Sequence, residues 1–162
     1  MSEHLQTQQS GSLVGGGKAH DFVTMTIAGQ LFGIPVLSVQ DVLGPQKITR
    51  IPLAASEVAG ALNLRGRIVT AIDVRRRLQL PPRESGGNGM SVVVEFGGEL
   101  YSLIVDNVGE VLSVPDEAYE PNPTTLDEIW SEVSEGIYRL DGQLLVVLDV
   151  ERFLRIGLRL AA

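Results

Sequence analysis

Five arginines fall within thirteen residues of an otherwise acidic chain: Arg65 and Arg67 flank Gly66, and Arg75, Arg76 and Arg77 follow the apolar run that leaves it. Guanidinium groups at that density suit two chemistries. One is a phosphate or nucleic-acid stripe on an OB-like barrel, with Arg65 to Arg77 tracking a backbone. The other is a protein-docking edge beside ordinary surface charge. Other reactive groups are scarce. His4 and His20 are the only histidines, and both lie in or beside a polar N-terminal stretch that offers no rigid scaffold to aim them. Asp106, Glu110, Asp116, Glu117 and Glu120 cluster loosely and read as a solvated acidic face. The stretch Ser12 to Lys18 is no phosphate loop, because Ser12 stands where the first glycine belongs and Ala19 replaces the hydroxyl residue after the lysine. No calcium-loop or histidine–metal spacing occurs, so neither metal nor cofactor is expected and the chain does not read as an enzyme.

The elements that must position these arginines come in two copies. Gly60 to Leu78 aligns with Gly136 to Leu154 at an offset of 76, with seven identities: Gly60/Gly136, Leu64/Leu140, Gly66/Gly142, Asp73/Asp149, Val74/Val150, Arg76/Arg152 and Leu78/Leu154. Upstream, Val23 to Leu43 tracks Val92 to Leu112 at an offset of 69, aligning Gly29/Gly98, Phe32/Tyr101 and Asp41/Glu110. The two offsets differ by 7, a short insertion before the last hairpin. In the second copy Arg65 is replaced by Asp141, so the turn does not need that arginine in order to form.

Each copy has the same order of expected elements. Residues 22–27 and 31–36 form a hairpin around Ala28-Gly29-Gln30, a short strand follows at 47–51, and 53–59 is Ala-rich enough for one helical turn. A second hairpin turns at Arg65-Gly66-Arg67. Residues 81–89 are the internal boundary. The second copy gives a hairpin over 92–105, a strand over 108–114, a short helix over 126–133, and a hairpin over 137–150 around Asp141-Gly142. Phe153, Leu154 and Leu158 share one face of a short C-terminal helix. Many short strands with glycine turns predict an all-β fold of two small barrels: the first about 21–80, a linker about 81–89, and the second about 90–150, with residues 1–19 a flexible tail and 151–162 a C-terminal helix and tail.

Composition narrows the function classes. A net charge of −7 weighs against a dedicated nucleic-acid binder. The absence of cysteine removes disulfides and thiolate chemistry. No apolar run is long enough to span a membrane and no signal-peptide pattern opens the chain, so a cytoplasmic location without direct membrane contact is expected.

The frame Phe32-Gly33-Ile34-Pro35-Val36, Val39-Gln40-Asp41-Val42, Ile48-Thr49-Arg50-Ile51-Pro52, Gly60-Ala61-Leu62-Asn63-Leu64-Arg65-Gly66 and Ile72-Asp73-Val74-Arg75 closely resembles the CheW family of bacterial chemotaxis coupling proteins, over residues 21 to 155. The segments Val105-Asp106-Asn107-Val108 and Glu110-Val111-Leu112 extend the resemblance. It implies a non-catalytic adaptor of two SH3-like five-stranded barrels packed side by side. Such an adaptor bridges the cytoplasmic tip of methyl-accepting chemoreceptors to the regulatory domain of a chemotaxis histidine kinase in membrane-associated arrays. By the resemblance, Val36, Val39, Asp41, Gly60, Leu64 and Arg65 fall at the receptor contact, and Val42, Leu43, Ile48 and Thr49 at the kinase contact. It also implies that Asp41 and Arg65 pair, either as docking residues or as a salt bridge fixing the groove. Thr70 departs from the family pattern, which commonly has proline there, and restores a backbone N–H. The chain ends soon after its last expected strand, which favours a free-standing coupling protein.

Overall fold

Glycine turns punctuate apolar runs to give eleven strands among the described residues, 18–83 and 89–154, of this computed structural model. They are β1 (Ala19–Ile27), β2 (Gln30–Pro35), β3 (Val39–Leu43), β4 (Val58–Leu64), β5 (Arg67–Asp73), β6 (Met90–Phe96), β7 (Glu99–Val105), β8 (Asn107–Pro115), β9 (Tyr119–Glu120), β10 (Ser134–Leu140) and β11 (Gln143–Leu148). Helix is confined to α1 (Val74–Arg77), α2 (Glu128–Val133), two 3₁₀ turns and helical residues 150–154. The mostly-β expectation with short helical turns holds.

The strands form two sheets, and these do not follow the division of the sequence at 81–89. The six-stranded sheet runs β8-β1-β2-β11-β10-β9 and the five-stranded sheet β3-β6-β7-β5-β4. Each therefore takes its first hairpin from the other half of the chain. The contiguous boundaries, about 21–80 and about 90–150, are corrected at the level of strands. The exchange is held by equivalent parallel pairings: β2 on β11 (Phe32 opposite Val146) and β7 on β5 (Tyr101 opposite Thr70). It is favoured because it buries the exchanged hairpins on both faces. One face of β1–β2 supplies Val23, Met25, Ile27, Phe32 and Ile34 to a central core, where they meet Val92, Val94, Tyr101 and Leu103 of β6–β7. The opposite faces line a separate cluster in each sheet, with Val93, Leu100 and Ile104 in one and Phe22 in the other. Strands covered on both sides read as nearly continuous apolar runs, as β7 does.

Both sheets curl. In the five-stranded sheet, β3 and β4 are opposite edges, yet an ion pair joins β3 to the turn that ends β4. In the six-stranded sheet, the outermost strands β8 and β9 are linked by only the 3₁₀ turn Asp116–Ala118. The isolated pairing Thr49 to Ala61 in one half matches Glu120 to Ile137 in the other, so the expected strand at 47–51 shrinks to a single bridge. No helix forms at 53–59. Leu53 has φ of +64° just after Pro52, and β4 has already begun at Val58, so alanine propensity is overridden by the turn and the ladder. Thr70 is on an interior strand, paired on both sides with Ala61 and Tyr101, so its N–H joins a ladder rather than altering an edge.

The repeat identities have local explanations. Asp73 caps α1 by accepting from the backbone N–H groups of Arg75 (3.0 Å) and Arg76 (3.4 Å), and Asp149 accepts from the N–H of Arg152 (3.0 Å). The insertion houses α2, whose Trp130 stands edge-on to Phe32 at 5.3 Å. Phe153 and Leu154 are fully buried, whereas Leu158, His4, residues 1–17 and residues 84–88 lie outside the described residues.

Candidate functional site

The turn at Arg65-Gly66 joins β4 to β5 with two residues in the left-handed region, φ +51° and +85°. Such hairpin turns favour asparagine, aspartate or glycine at the first position, so arginine there is a costly choice. The side chain of Asn63 braces the turn by accepting from the Gly66 N–H at 3.0 Å. Arg65 reaches across the open edge of the sheet, and its Nη2 lies 2.8 Å from Asp41 Oδ2 on β3. The Arg65 side chain remains 74% exposed and Asp41 25%. The guanidinium, and after it the Val42 N–H donating to Oδ1 at 2.8 Å, hold the Asp41 carboxyl below its usual range. The pair that the resemblance implied is therefore formed, on the surface.

Gly60 contributes differently. It is buried at a bulge where the β4–β5 register shifts, with φ of +151°. A Cβ there would overlap the Thr49 carbonyl and come within 2.6 Å of Ile48 Cγ2. Its place is to let the 48–49 segment press onto β4, where Thr49 and Ala61 exchange two backbone hydrogen bonds of 2.8 Å. Leu43, Ile48 and Leu64 pack from three segments onto one cluster inside the five-stranded sheet. Val36 and Val39 are half-buried against the central core. Val42 and Thr49 point out, so the surface of the named set is Asp41, Val42, Thr49 and Arg65, with the remaining residues shaping it from beneath.

The arginine stripe does not exist as a surface. Arg75 forms a bidentate pair with Asp106 at 2.9 and 2.7 Å. Arg76 turns to Asp73 and to the Ser56 carbonyl. Arg77 is buried, donates to the Phe153 carbonyl at 3.0 Å and lies over the Phe153 ring at 5.3 Å. Arg77 and Phe153 are equivalent positions of the repeat, so the two copies touch at matching residues. Of the five, Arg65, Arg67 and Arg76 are exposed, and Arg65 and Arg76 are already engaged by Asp41 and Asp73, which leaves too little for a phosphate track.

Sequence reasoning missed two features. Asp106 accepts from Arg75, from Arg83 Nε at 3.1 Å and from the Ala28 N–H at 2.8 Å, joining α1, the linker and the β1–β2 turn. The Arg75 hydrogen bonds, outweighing partial burial, hold its carboxyl far below the usual carboxylate range. His20 is placed on β1 rather than in a tail, opposite Val114, with Nε2 against Asp116 Oδ1. Pairing of β1 with β8 extends to Ala19, and that pairing, invisible in local composition, supplies the scaffold. Among the described residues no group of three or more potential metal ligands occurs, and no helix is long and apolar enough to cross a membrane.

Comparison with known proteins places this geometry. A family model described as CheW-like domain matches residues 21–157. "Chemotaxis protein CheW" of Klebsiella aerogenes is 30% identical over 142 residues, covering 88% of this chain and 86% of that protein. The protein of the same description from Bacillus subtilis is 26% identical over 132 residues, covering 82% and 85%. The crystal structure of scaffolding protein TtCheW from Thermoanaerobacter tengcongensis superposes with a TM-score of 0.71 at 30% identity, over 80% of this chain and 88% of that one. With its curled sheets and family match in agreement, the chain belongs to the CheW-like family.

Proposed function

We propose that the protein is a non-catalytic chemotaxis scaffold that couples the cytoplasmic tip of chemoreceptors to the regulatory domain of a chemotaxis histidine kinase. The observation that carries this reading is the Asp41–Arg65 pair at the surface, set between the two edge strands of the five-stranded sheet in a chain whose family match spans 21–157. Asp41 and Arg65 meet the receptor, with Val36, Val39 and Leu64 as apolar neighbours and Gly60 holding the surface in shape. Val42 and Thr49 meet the kinase, backed by Leu43 and Ile48. Affinity in such an adaptor comes from a few apolar anchors, and selectivity from the charged rim. The protein works at the cytoplasmic side of receptor arrays, reaching the membrane through the receptors, and needs no cofactor and no nucleic acid.

The test is calorimetry with the isolated regulatory domain of the cognate kinase. Val42→Asp and Thr49→Arg are the informative variants, because Ile48→Asp would put a charge into the core of the five-stranded sheet. Micromolar or tighter binding, lost in both variants with melting unchanged, is expected. Undetectable binding, or binding indifferent to both substitutions, contradicts the kinase assignment.

A further inference from the structure

On the six-stranded sheet lies a groove of about 510 Å³ that the docking residues above do not explain; it shares only Val36 with them. Its floor is aromatic. Phe22 and Tyr138 are 5.3 Å apart between ring centroids, Tyr119 stands edge-on to Tyr138 at 5.5 Å, and His20 tilts toward it at 6.1 Å. Phe22 and Tyr138 are buried, while Tyr119 and His20 reach the surface as walls. Pro35, Val36 and Leu37 form an apolar lip, and Leu37 is 94% exposed.

The charges at the mouth are one-sided. Asp21 and Glu135 line the groove, and the basic ring among the lining residues, His20, is already engaged by Asp116. Arg152, the guanidinium whose charge reaches Glu135, is committed to Asp149 at 3.3 Å and to the Ser134 carbonyl. Partial desolvation, and after it the charge of Asp149, push the Glu135 carboxyl above its usual range, which an incoming cation would relieve.

We propose that this groove is a docking site for one basic side chain, arginine or lysine, presented by an apolar segment of a partner protein. Aromatic faces attract cations, the acidic rim complements the charge, and the lip formed by Val36 and Leu37 receives flanking apolar residues. The groove shares Val36 with the docking set, but its aromatic floor and acidic rim lie outside that set, so its test is separate from that of the scaffold reading.

The test uses the full ¹⁵N-labelled chain and the acetylated, amidated pentapeptide Leu-Val-Arg-Val-Leu, alongside a counterpart in which citrulline replaces arginine. Saturable amide shifts confined to residues 19–22, 36–37 and 135–138 are expected with the arginine peptide, with the citrulline peptide weaker by about fivefold or more. The double variant Asp21→Asn, Glu135→Gln should lose a similar factor while its spectrum stays that of the folded protein. Equal binding of the two peptides would overturn the proposal in favour of a purely apolar groove. No saturable shift up to about 5 mM would overturn it outright. Binding that emerges only when residues 1–17 are deleted would assign the groove to the chain's own N-terminal segment and overturn the partner.

Discussion

The turn that closes the five-stranded sheet carries Arg65-Gly66, and its counterpart in the six-stranded sheet carries Asp141-Gly142. Both hairpins form, and the glycine keeps positive φ in both, +85° and +83°. What differs is the first turn residue, which is left-handed at Arg65 and not at Asp141, and its relation to the neighbouring edge. Arg65 pairs with Asp41, whereas the equivalents of those positions are Asp141 and Glu110, two acids that attract no such pair. The same fold is thus built with and without the ion pair. The lesson is that Asp41 and Arg65 are free to serve recognition, while the bulge glycines Gly60 and Gly136, present in both copies, belong to the architecture.

Substitution of those glycines should produce the largest effects and separate the halves. Gly60→Ala drives a Cβ into the Thr49 carbonyl, which cannot move without breaking the Thr49–Ala61 bridge, so a loss upward of about 4 kcal/mol is expected in denaturant unfolding. Gly136→Ala meets only the Tyr119 ring, the end of a movable side chain, and should cost about 2 kcal/mol. Equal losses would erase the distinction between the two bulges.

Next comes Asp106, the tie between the halves. Its carboxylate and its two guanidinium partners are mostly buried, so Asp106→Ala should destabilise by about 3 kcal/mol at neutral pH. Because the folded-state pKa is depressed, this contribution is fully present above the unfolded carboxyl pKa of about 3.9 and is lost as pH falls toward the folded value. Wild type and variant should therefore converge in stability below about pH 4, and a pH-independent gap would show that Asp106 acts by shape rather than charge.

Much of this was legible in the sequence, for reasons that differ by residue. Hairpins at Ala28-Gly29, Arg65-Gly66, Gly97-Gly98 and Asp141-Gly142 announce themselves through turn chemistry and repetition. The exchange of hairpins between sheets does not, because Val23, Met25, Phe32 and their counterparts are equally apolar whichever half they pair with. The Asp41–Arg65 pair was reachable from the resemblance, since both positions carry the family frame. The partners of Arg75 and Arg77 were not: Asp106 lies 31 residues from Arg75, and Phe153 lies 76 from Arg77, so an internal network looked like a surface stripe.

The smallest stability effects should come from the exposed pair itself. Asp41→Ala or Arg65→Ala should shift unfolding by no more than about 1 kcal/mol, as expected for a surface salt bridge. Placing the arginine in the sister turn with Asp141→Arg should change stability less still, since Asp141 lies outside the left-handed region that strains a side chain at Arg65. A large loss in either case would mean that the pair closes the sheet rather than decorating it.

Whether recognition and architecture are separable at this edge is decided by Arg65→Asp. Binding to a chemoreceptor tip fragment and to the kinase regulatory domain would be measured beside thermal unfolding of the same preparation. Receptor binding weakened at least about tenfold, kinase binding retained, and stability within about 1 kcal/mol of wild type are expected. Receptor binding at wild-type strength, or a variant that fails to fold, would contradict that separation.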